Sequence, residues 1–331
     1  MIKVYVIVDM LLTEEYSWET NVTSLFQGYI DASDKTNYSI EEIKDISLIK
    51  NLFSTNQINK DDIFLFTNAW TTSIQYIKHW SELYKIPVKL IGFWSRGCFI
   101  NSDAEFRPLN DRSWRKSHES TNMKCLDNSL FLNDWYLKQF QTEISRDRYL
   151  STLEICKFPL DYLSLELSLI KGSYYKQNMI IFPWANYNSL HEQIVYDFIR
   201  VFKKTHVIFA QEYSSMERSM LINQISKAKI SFLPYTHSNI GQEIYECFLL
   251  ETIPIVPDIA GFQDLVPDEF RYPPEWTASI FNYCKYAPEL TDYIQRILDN
   301  YDDLIPTIIN HQEKLTEKYF DSAEIIKKIF V

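Results

Sequence analysis

The stretch Lys229–Asp258, KISFLPYTHSNIGQEIYECFLLETIPIVPD, carries more of the fold than any other part of this 331-residue chain. Ile230–Leu233 reads as a short buried strand. A polar loop with one glycine, Gly241, follows. Apolar spacing from Gln242 to Leu250 then predicts a helix, and Ile253–Val256 a second strand that Pro257 stops. Strand, loop, helix and strand make one β-α-β unit of a parallel sheet. At the start of such a helix, free backbone N–H groups and the positive end of the dipole point at one spot, which makes the loop a ready anion site. Glu246 lies one turn further on, placed to accept hydrogen bonds from a hydroxylated group beside the anion. Phosphate next to sugar hydroxyls describes a nucleotide or a nucleotide sugar.

Working outward, the same alternation continues on both sides. Towards the N-terminus the pattern gives strand Met179–Pro183, helix Leu190–Lys203, strand Val207–Ala210 and helix Ser215–Lys227, a doubly wound order. The first half offers strands Ile2–Val8, Ile63–Thr67 and Val88–Phe93. Thr71–Tyr84 lies between the last two as a helix with Ile74, Ile77, Trp80 and Leu83 on one face. After Phe93 the pattern is irregular until Asp127. Asp134–Ile144 is helical, Leu153–Phe158 a strand, and the stretch through Tyr175 a poorly patterned connection. Leu290–Leu298 and Ala323–Phe330 are amphipathic. The expected organisation is an N-terminal domain over 1–160, a second domain over 175–310 and a helical segment over 311–331. Ligands of open parallel sheets sit beyond the carboxyl ends of the strands, so two such sheets with facing strand ends would enclose a cleft.

Composition narrows the function. With 44 acids against 33 Lys and Arg, the net charge of −11 argues against a protein whose whole surface binds nucleic acid, though not against one basic cleft. Only 6 glycines occur, which weighs against glycine-rich phosphate loops. The 5 cysteines are scattered and odd in number, with no metal or disulfide spacing, so reduced thiols in a cytoplasm are expected. No run approaches the ~18 apolar residues that span a bilayer. No acid pair or Asp-x-Asp signature supports a metal.

Several stretches resemble the GT-B glycosyltransferases of tailed bacteriophages, including those that glycosylate hydroxymethylcytosine in phage DNA. SNIGQEIYECFLLETIPIVPD (Ser238–Asp258) is similar to that family's glycine-then-acid helix and the strand after it, and MIIFPWANYNSLHEQIVYDF (Met179–Phe198) to another strand and helix of its donor domain. IGFWSRGCFINSDAEF (Ile91–Phe106) and CLDNSLFLNDWYLKQF (Cys125–Phe140) resemble elements of its first domain. The resemblance implies an α/β fold of two Rossmann-like domains facing across a cleft, with C-terminal helices packing back on the first. It implies a nucleotide-sugar donor, expected to be a UDP-sugar, and no covalently bound cofactor. Glucose or a pentose such as arabinose would go to a hydroxymethylated base of double-stranded DNA. A glycan or small-molecule acceptor, and a GT-B-shaped binding protein without catalysis, are the alternatives.

By the same resemblance, Gly241 gives its N–H to the donor diphosphate and Glu246 takes the ribose hydroxyls. Ser238 stands where retaining members often carry an acid, Asn186 where an arginine would meet the phosphates, and Glu192 where a lysine is often found. Arg218, Lys227 or Arg271 are the cations left for the diphosphate. His237, near the phosphate loop, is a further donor contact.

Transfer to a hydroxyl needs a base and charge stabilisation for the leaving group. Asp103, in the loop after the third strand, is the candidate base, although an aspartate in a turn also serves simply as a cap. Glu119 and Asp127 read as acids that cap or pair on a helix surface. The segment RPLNDRSWRK gathers Arg107, Arg112, Arg115 and Lys116 around Trp114. It suits phosphate contacts with a nucleic-acid acceptor, Trp114 stacking on a base or else lying in the core. Trp70, Trp94 and Trp184 fall at inferred strand ends and either line a cleft or fill the core.

Overall fold

The computed structural model describes residues 2–7, 38–94, 97, 112–143, 151–157, 160, 162–170, 175–183, 189–209, 218–234, 242–320 and 328. The chain divides into two compact units, Met1–Tyr162 with Lys318–Val331, and Leu163–Glu317.

In the first unit, strands β1 (Lys3–Ile7), β2 (Ser39–Ile43), β3 (Ile63–Phe66), β4 (Lys89–Phe93), β5 (Asn128–Phe131) and β6 (Thr152–Ile155) form one sheet in the order β2-β1-β3-β4-β5-β6. Every pairing in it is parallel. The central strands are apolar on both faces because helices cover both, and β3 is buried at every residue. Helix Ser73–Tyr84 joins β3 to β4 and buries Ile74 and Ile77 as its spacing predicts, whereas Leu83, expected on the same face, is exposed.

Two aspartates finish the amino edge of this sheet. Asp62 accepts from the backbone N–H of Lys3 at 3.0 Å and of Asn59 at 2.8 Å, and Asp127 from that of Leu90 at 2.7 Å. Asp127 is therefore a strand tie at the amino edge, and its reading as an acid that caps or pairs on a helix surface is corrected.

Above the carboxyl half of β4 the packing is tight. A methyl group on Gly92 would stand 2.8 Å from Leu126 Cδ1 and 2.9 Å from Ala69 Cβ. Ala69 is itself fixed by its N–H to the carbonyl of Phe93 at 2.8 Å. Gly92→Ala is expected to cost about 1–2 kcal/mol through overpacking, read as a lower urea midpoint with an unchanged slope.

The second unit holds β7 (Gln177–Phe182), β8 (His206–Phe209), β9 (Ala228–Phe232), β10 (Ile253–Pro257) and β11 (Arg271–Tyr272), in the parallel order β11-β10-β9-β7-β8. Its core is aromatic. Phe198, on helix Ser189–Val201, meets Phe182 at 5.4 Å and Phe232 at 5.3 Å, and Phe232 stacks on Tyr272 at 5.6 Å. At the amino edge, Lys176 Nζ donates to the Ala228 carbonyl at 2.8 Å and the Thr252 hydroxyl at 2.7 Å.

Both sheets reverse direction beside their first strand. The chain runs from β1 to β2 on one side and returns to β3 on the other, and likewise from β7 to β8 and back to β9. At such a switch point the loops part beyond the carboxyl ends, which leaves a crevice where ligands of this architecture bind.

Several elements differ from the sequence pattern. Helix Arg112–Cys125 occupies a stretch that reads as irregular, strand β5 falls just after it where no element is read, and helix Tyr162–Ser168 lies in the poorly patterned connection. Strand β2 and helix Ile46–Ser54 have no counterpart in the pattern. The amphipathic piece Leu290–Leu298 is part of a longer helix, Ile280–Asp299, which accommodates Pro288. Helix Tyr301–Tyr319 follows it, and Ala323–Phe330 lies outside the described residues except for Lys328.

Candidate donor and acceptor sites

In the second unit, β7 and β9 pair in parallel with Ile181 beside Ser231, so the chain leaves both neighbouring strands at one edge, through Pro183 and Pro234. Asn186, His237, Ser238 and Gly241 belong to the segments that follow and lie outside the described residues.

Helix Gln242–Leu249 is sequestered rather than superficial: Ile244, Tyr245, Cys247 and Phe248 are all buried. Two hydroxyl contacts fix it, from Tyr245 to Ser164 Oγ at 2.8 Å and to Thr316 Oγ1 at 2.7 Å.

Glu246 is 4% exposed within this apolar helix. A carboxylate at such a depth is costly unless it is hydrogen-bonded or paired. The neighbouring Cys247 is a thiol held protonated, because burial pushes its pKa up to about 12, and it is therefore no nucleophile.

Topology sorts the three cations that could face a diphosphate. Arg271 is engaged by Asp258 Oδ1 at 2.6 Å and by Asp268, with its side chain 9% exposed. Lys227 immediately precedes β9 and so stands at the amino edge, away from the strand ends. Arg218 begins the same helix, at the carboxyl side of the sheet. Glu192 is exposed in the first turn of helix Ser189–Val201.

The first unit has its polar cluster beyond the carboxyl end of β3. The Trp70 backbone N–H donates to Asn68 Oδ1 at 3.0 Å and its indole Nε1 donates to Glu119 Oε1 at 2.9 Å. His118 Nε2 lies 2.7 Å from the Trp70 carbonyl, a pair in which the nitrogen must donate. Its Nδ1, 3.3 Å from the Gln75 amide nitrogen, then accepts. Both ring nitrogens of His118 are thus engaged in holding the loop. The Asn122 amide spans the carbonyls of Ala69 and Thr71, each at 2.9 Å. These bonds pin helix Arg112–Cys125 to the loop after β3.

Glu119 is wholly buried, which corrects its reading as a surface acid. Trp94 is also buried, at 1% exposure, and belongs to the core. Trp114 is 48% exposed and meets Trp70 edge-on, ring centroids 5.9 Å apart at 66°. Lys116 lies in the same first turns; the side chains of Arg112 and Arg115, and all of Asp103, Arg107 and Trp184, are outside the described residues. The sequence reading placed Trp70 at a strand end but missed Asn122, whose ties to Ala69 and Thr71 are polar and join positions about 50 residues apart.

Among the described residues, no group of three His, Cys, Asp or Glu stands close enough to hold a metal ion, and no helix is long and apolar enough to cross a membrane.

No family model and no curated protein sequence matches the chain. Solved structures match it by fold. Sucrose-phosphate synthase from Thermosynechococcus elongatus aligns with a TM-score of 0.66 at 10% identity, over 99% of this chain and 97% of that one. The UDP-forming α,α-trehalose-phosphate synthase from Burkholderia xenovorans gives 0.60 at 8% identity, over 100% and 99%. The pneumococcal O-GlcNAc transferase GtfA, solved with UDP and GlcNAc, gives 0.56 at 11% identity, over 86% of this chain and 59% of that one. The chain thus spans about three fifths of the length of the GtfA structures it matches, 61% in the GtfA/B complex. What these matches share with the chain is two parallel-sheet α/β domains, and its fold is the GT-B fold.

Proposed function

We propose that the chain is a glycosyltransferase that takes a UDP-sugar on its second unit and transfers the sugar to an acceptor held on the first. The observation that carries this is Glu246, a buried acid one turn into the helix that follows the β7/β9 switch point. There a carboxylate accepts from both ribose hydroxyls while the segment before the helix, with Gly241, offers N–H groups to the diphosphate. The fold neighbours named for UDP favour the same donor. Arg218, by its place at the carboxyl side of the sheet, is the cation for the leaving diphosphate.

On the first unit, Asp103 is assigned as the base that takes the acceptor hydroxyl's proton. The oxygen then bonds to the anomeric carbon as the bond to the diphosphate breaks, and UDP leaves. The acceptor of this reading is a hydroxymethylated base in phage DNA, within the host cytoplasm, and the transferred sugar is glucose or a pentose such as arabinose. The cationic first turn of helix Arg112–Cys125, beside an exposed Trp114 on a chain of net charge −11, supports an anionic acceptor with a flat ring. A second reading, a small phosphorylated sugar as acceptor, is favoured by the full-length fold neighbours named as sucrose-phosphate and trehalose-phosphate synthases.

Thermal melting against a panel of nucleoside diphosphates and their sugars tests the donor half. The transferase reading expects a rise in melting temperature with UDP and UDP-sugars. A temperature unmoved by every nucleotide would favour a binding protein without catalysis.

A further inference from the structure

Trp114 combines three properties that a core tryptophan lacks. It is 48% exposed, it opens a helix rich in cations, and its geometry is fixed from beneath. Its edge contact is with Trp70, which is held at its backbone N–H by Asn68, at its indole nitrogen by Glu119 and at its carbonyl by His118. The His118 ring packs against the same indole at 4.7 Å. An aromatic face held in place before binding loses little freedom when a ligand stacks on it, and that lowers the cost of association.

The charge of the helix says what kind of ligand this is. Arg112–Cys125 carries four Lys and Arg and one acid, Glu119. That acid is wholly buried against Trp70, so the helix presents no carboxylate to solvent.

We propose that Trp114 is a stacking subsite for an unpaired base of a nucleic-acid acceptor, and that Glu119, acting through Trp70, is the residue that positions it. The proposal rests on the DNA-acceptor reading above. Cations along one helix suit a phosphate backbone, and every base presents a π-face to an indole whatever its identity. A base taken out of the duplex, as chemistry on its substituent requires, loses stacking energy that an exposed tryptophan restores.

The test is a fluorescence titration with a single-stranded oligonucleotide containing 5-hydroxymethylcytosine, with no nucleotide sugar present. Wild type should show saturable quenching of tryptophan emission. Trp114→Ala removes an exposed side chain and should keep its melting temperature. It should lose most of the quench and bind roughly 5- to 150-fold more weakly, the span of one stacked base. Glu119→Gln, whose amide oxygen still accepts from the indole, should behave as wild type. Glu119→Leu should lose both the binding and the near-ultraviolet dichroism of the Trp70–Trp114 pair.

Oligonucleotide binding that is equal in wild type and Trp114→Ala overturns the subsite. So does an absence of oligonucleotide binding together with glucose 6-phosphate binding that Trp114→Ala abolishes, since the platform would then serve a sugar. If Glu119→Leu changes the dichroism and leaves binding intact, the positioning role is wrong. None of these arms uses a donor, so a failure of UDP-sugars to bind in separate calorimetry sinks the transferase reading without deciding this one.

Discussion

Glu246→Gln should weaken UDP-sugar binding by roughly 100-fold while leaving the melting temperature of the ligand-free protein nearly unchanged. The substitution keeps the volume of a side chain that is 4% exposed, so no cavity opens in helix Gln242–Leu249. What changes is chemistry. A carboxylate accepts from two ribose hydroxyls at once, and hydrogen bonds to a charged group contribute about 1.5–3 kcal/mol each. The amide keeps one acceptor and turns a donor towards the other hydroxyl. Losing one charged bond and weakening the second gives about 3 kcal/mol, which is the 100-fold. Calorimetry with UDP and a UDP-sugar reads it directly. Wild-type affinity in Glu246→Gln would remove the acid from the donor site. A large fall in the stability of the ligand-free variant would make Glu246 a structural residue.

Reversing charge at the first turn of helix Arg112–Cys125 should have a comparable effect on the other substrate. In Arg112→Glu with Arg115→Glu, two phosphate contacts are replaced by two repulsions, and affinity for duplex DNA should fall by about two orders of magnitude at low salt. The salt dependence carries more information than the affinity. Each lost phosphate contact removes about 0.9 from the slope of log K against log salt, so the double variant should be flatter by nearly two. Anisotropy titrations from 50 to 200 mM salt, roughly the range over which multi-phosphate binders weaken most, measure both. DNA binding with an unchanged slope would eliminate the patch as an acceptor surface. A small phosphorylated acceptor, by contrast, meets a single phosphate and shows a shallow slope even in wild type.

The second unit was the more legible of the two. Its strands are short apolar runs between amphipathic helices, and Met179–Pro183 and Ile253–Val256 in the pattern are Gln177–Phe182 and Ile253–Pro257 in the structure. Hydrophobic periodicity works there because the buried faces are apolar. It fails on RSWRKSHESTNMKC, where Trp114, Met123 and Cys125 make no stripe. That helix is held by polar groups instead, Asn122 on the carbonyls of Ala69 and Thr71 and Glu119 on the Trp70 indole, and such ties leave no periodic trace. Strand β2, SIEEI, was missed for a related reason: it is an edge strand buried only at Ile43 and reads as polar.

The site was legible in outline only. The place of Glu246 on a helix could be read from the sequence; its burial could not. An acid at one helical position has the same letter whether it faces water or lies inside. The engagement of Arg271 by Asp258 and Asp268 was likewise invisible, because Asp258 ends one strand run and Arg271 begins another. The pairing of β10 with β11 is what brings them together.

The central claim is transfer of a sugar from a nucleoside diphosphate, and the most direct measurement is mass spectrometry of the acceptor. The protein would be incubated with UDP-sugars and, in parallel, with hydroxymethylcytosine-containing duplex DNA and with glucose 6-phosphate. The account predicts that DNA gains the mass of one sugar residue per modified base, with stoichiometric release of UDP. A mass gain on glucose 6-phosphate alone would keep the transferase and reassign its acceptor. No mass gain on either acceptor and no UDP released with any donor would contradict the account.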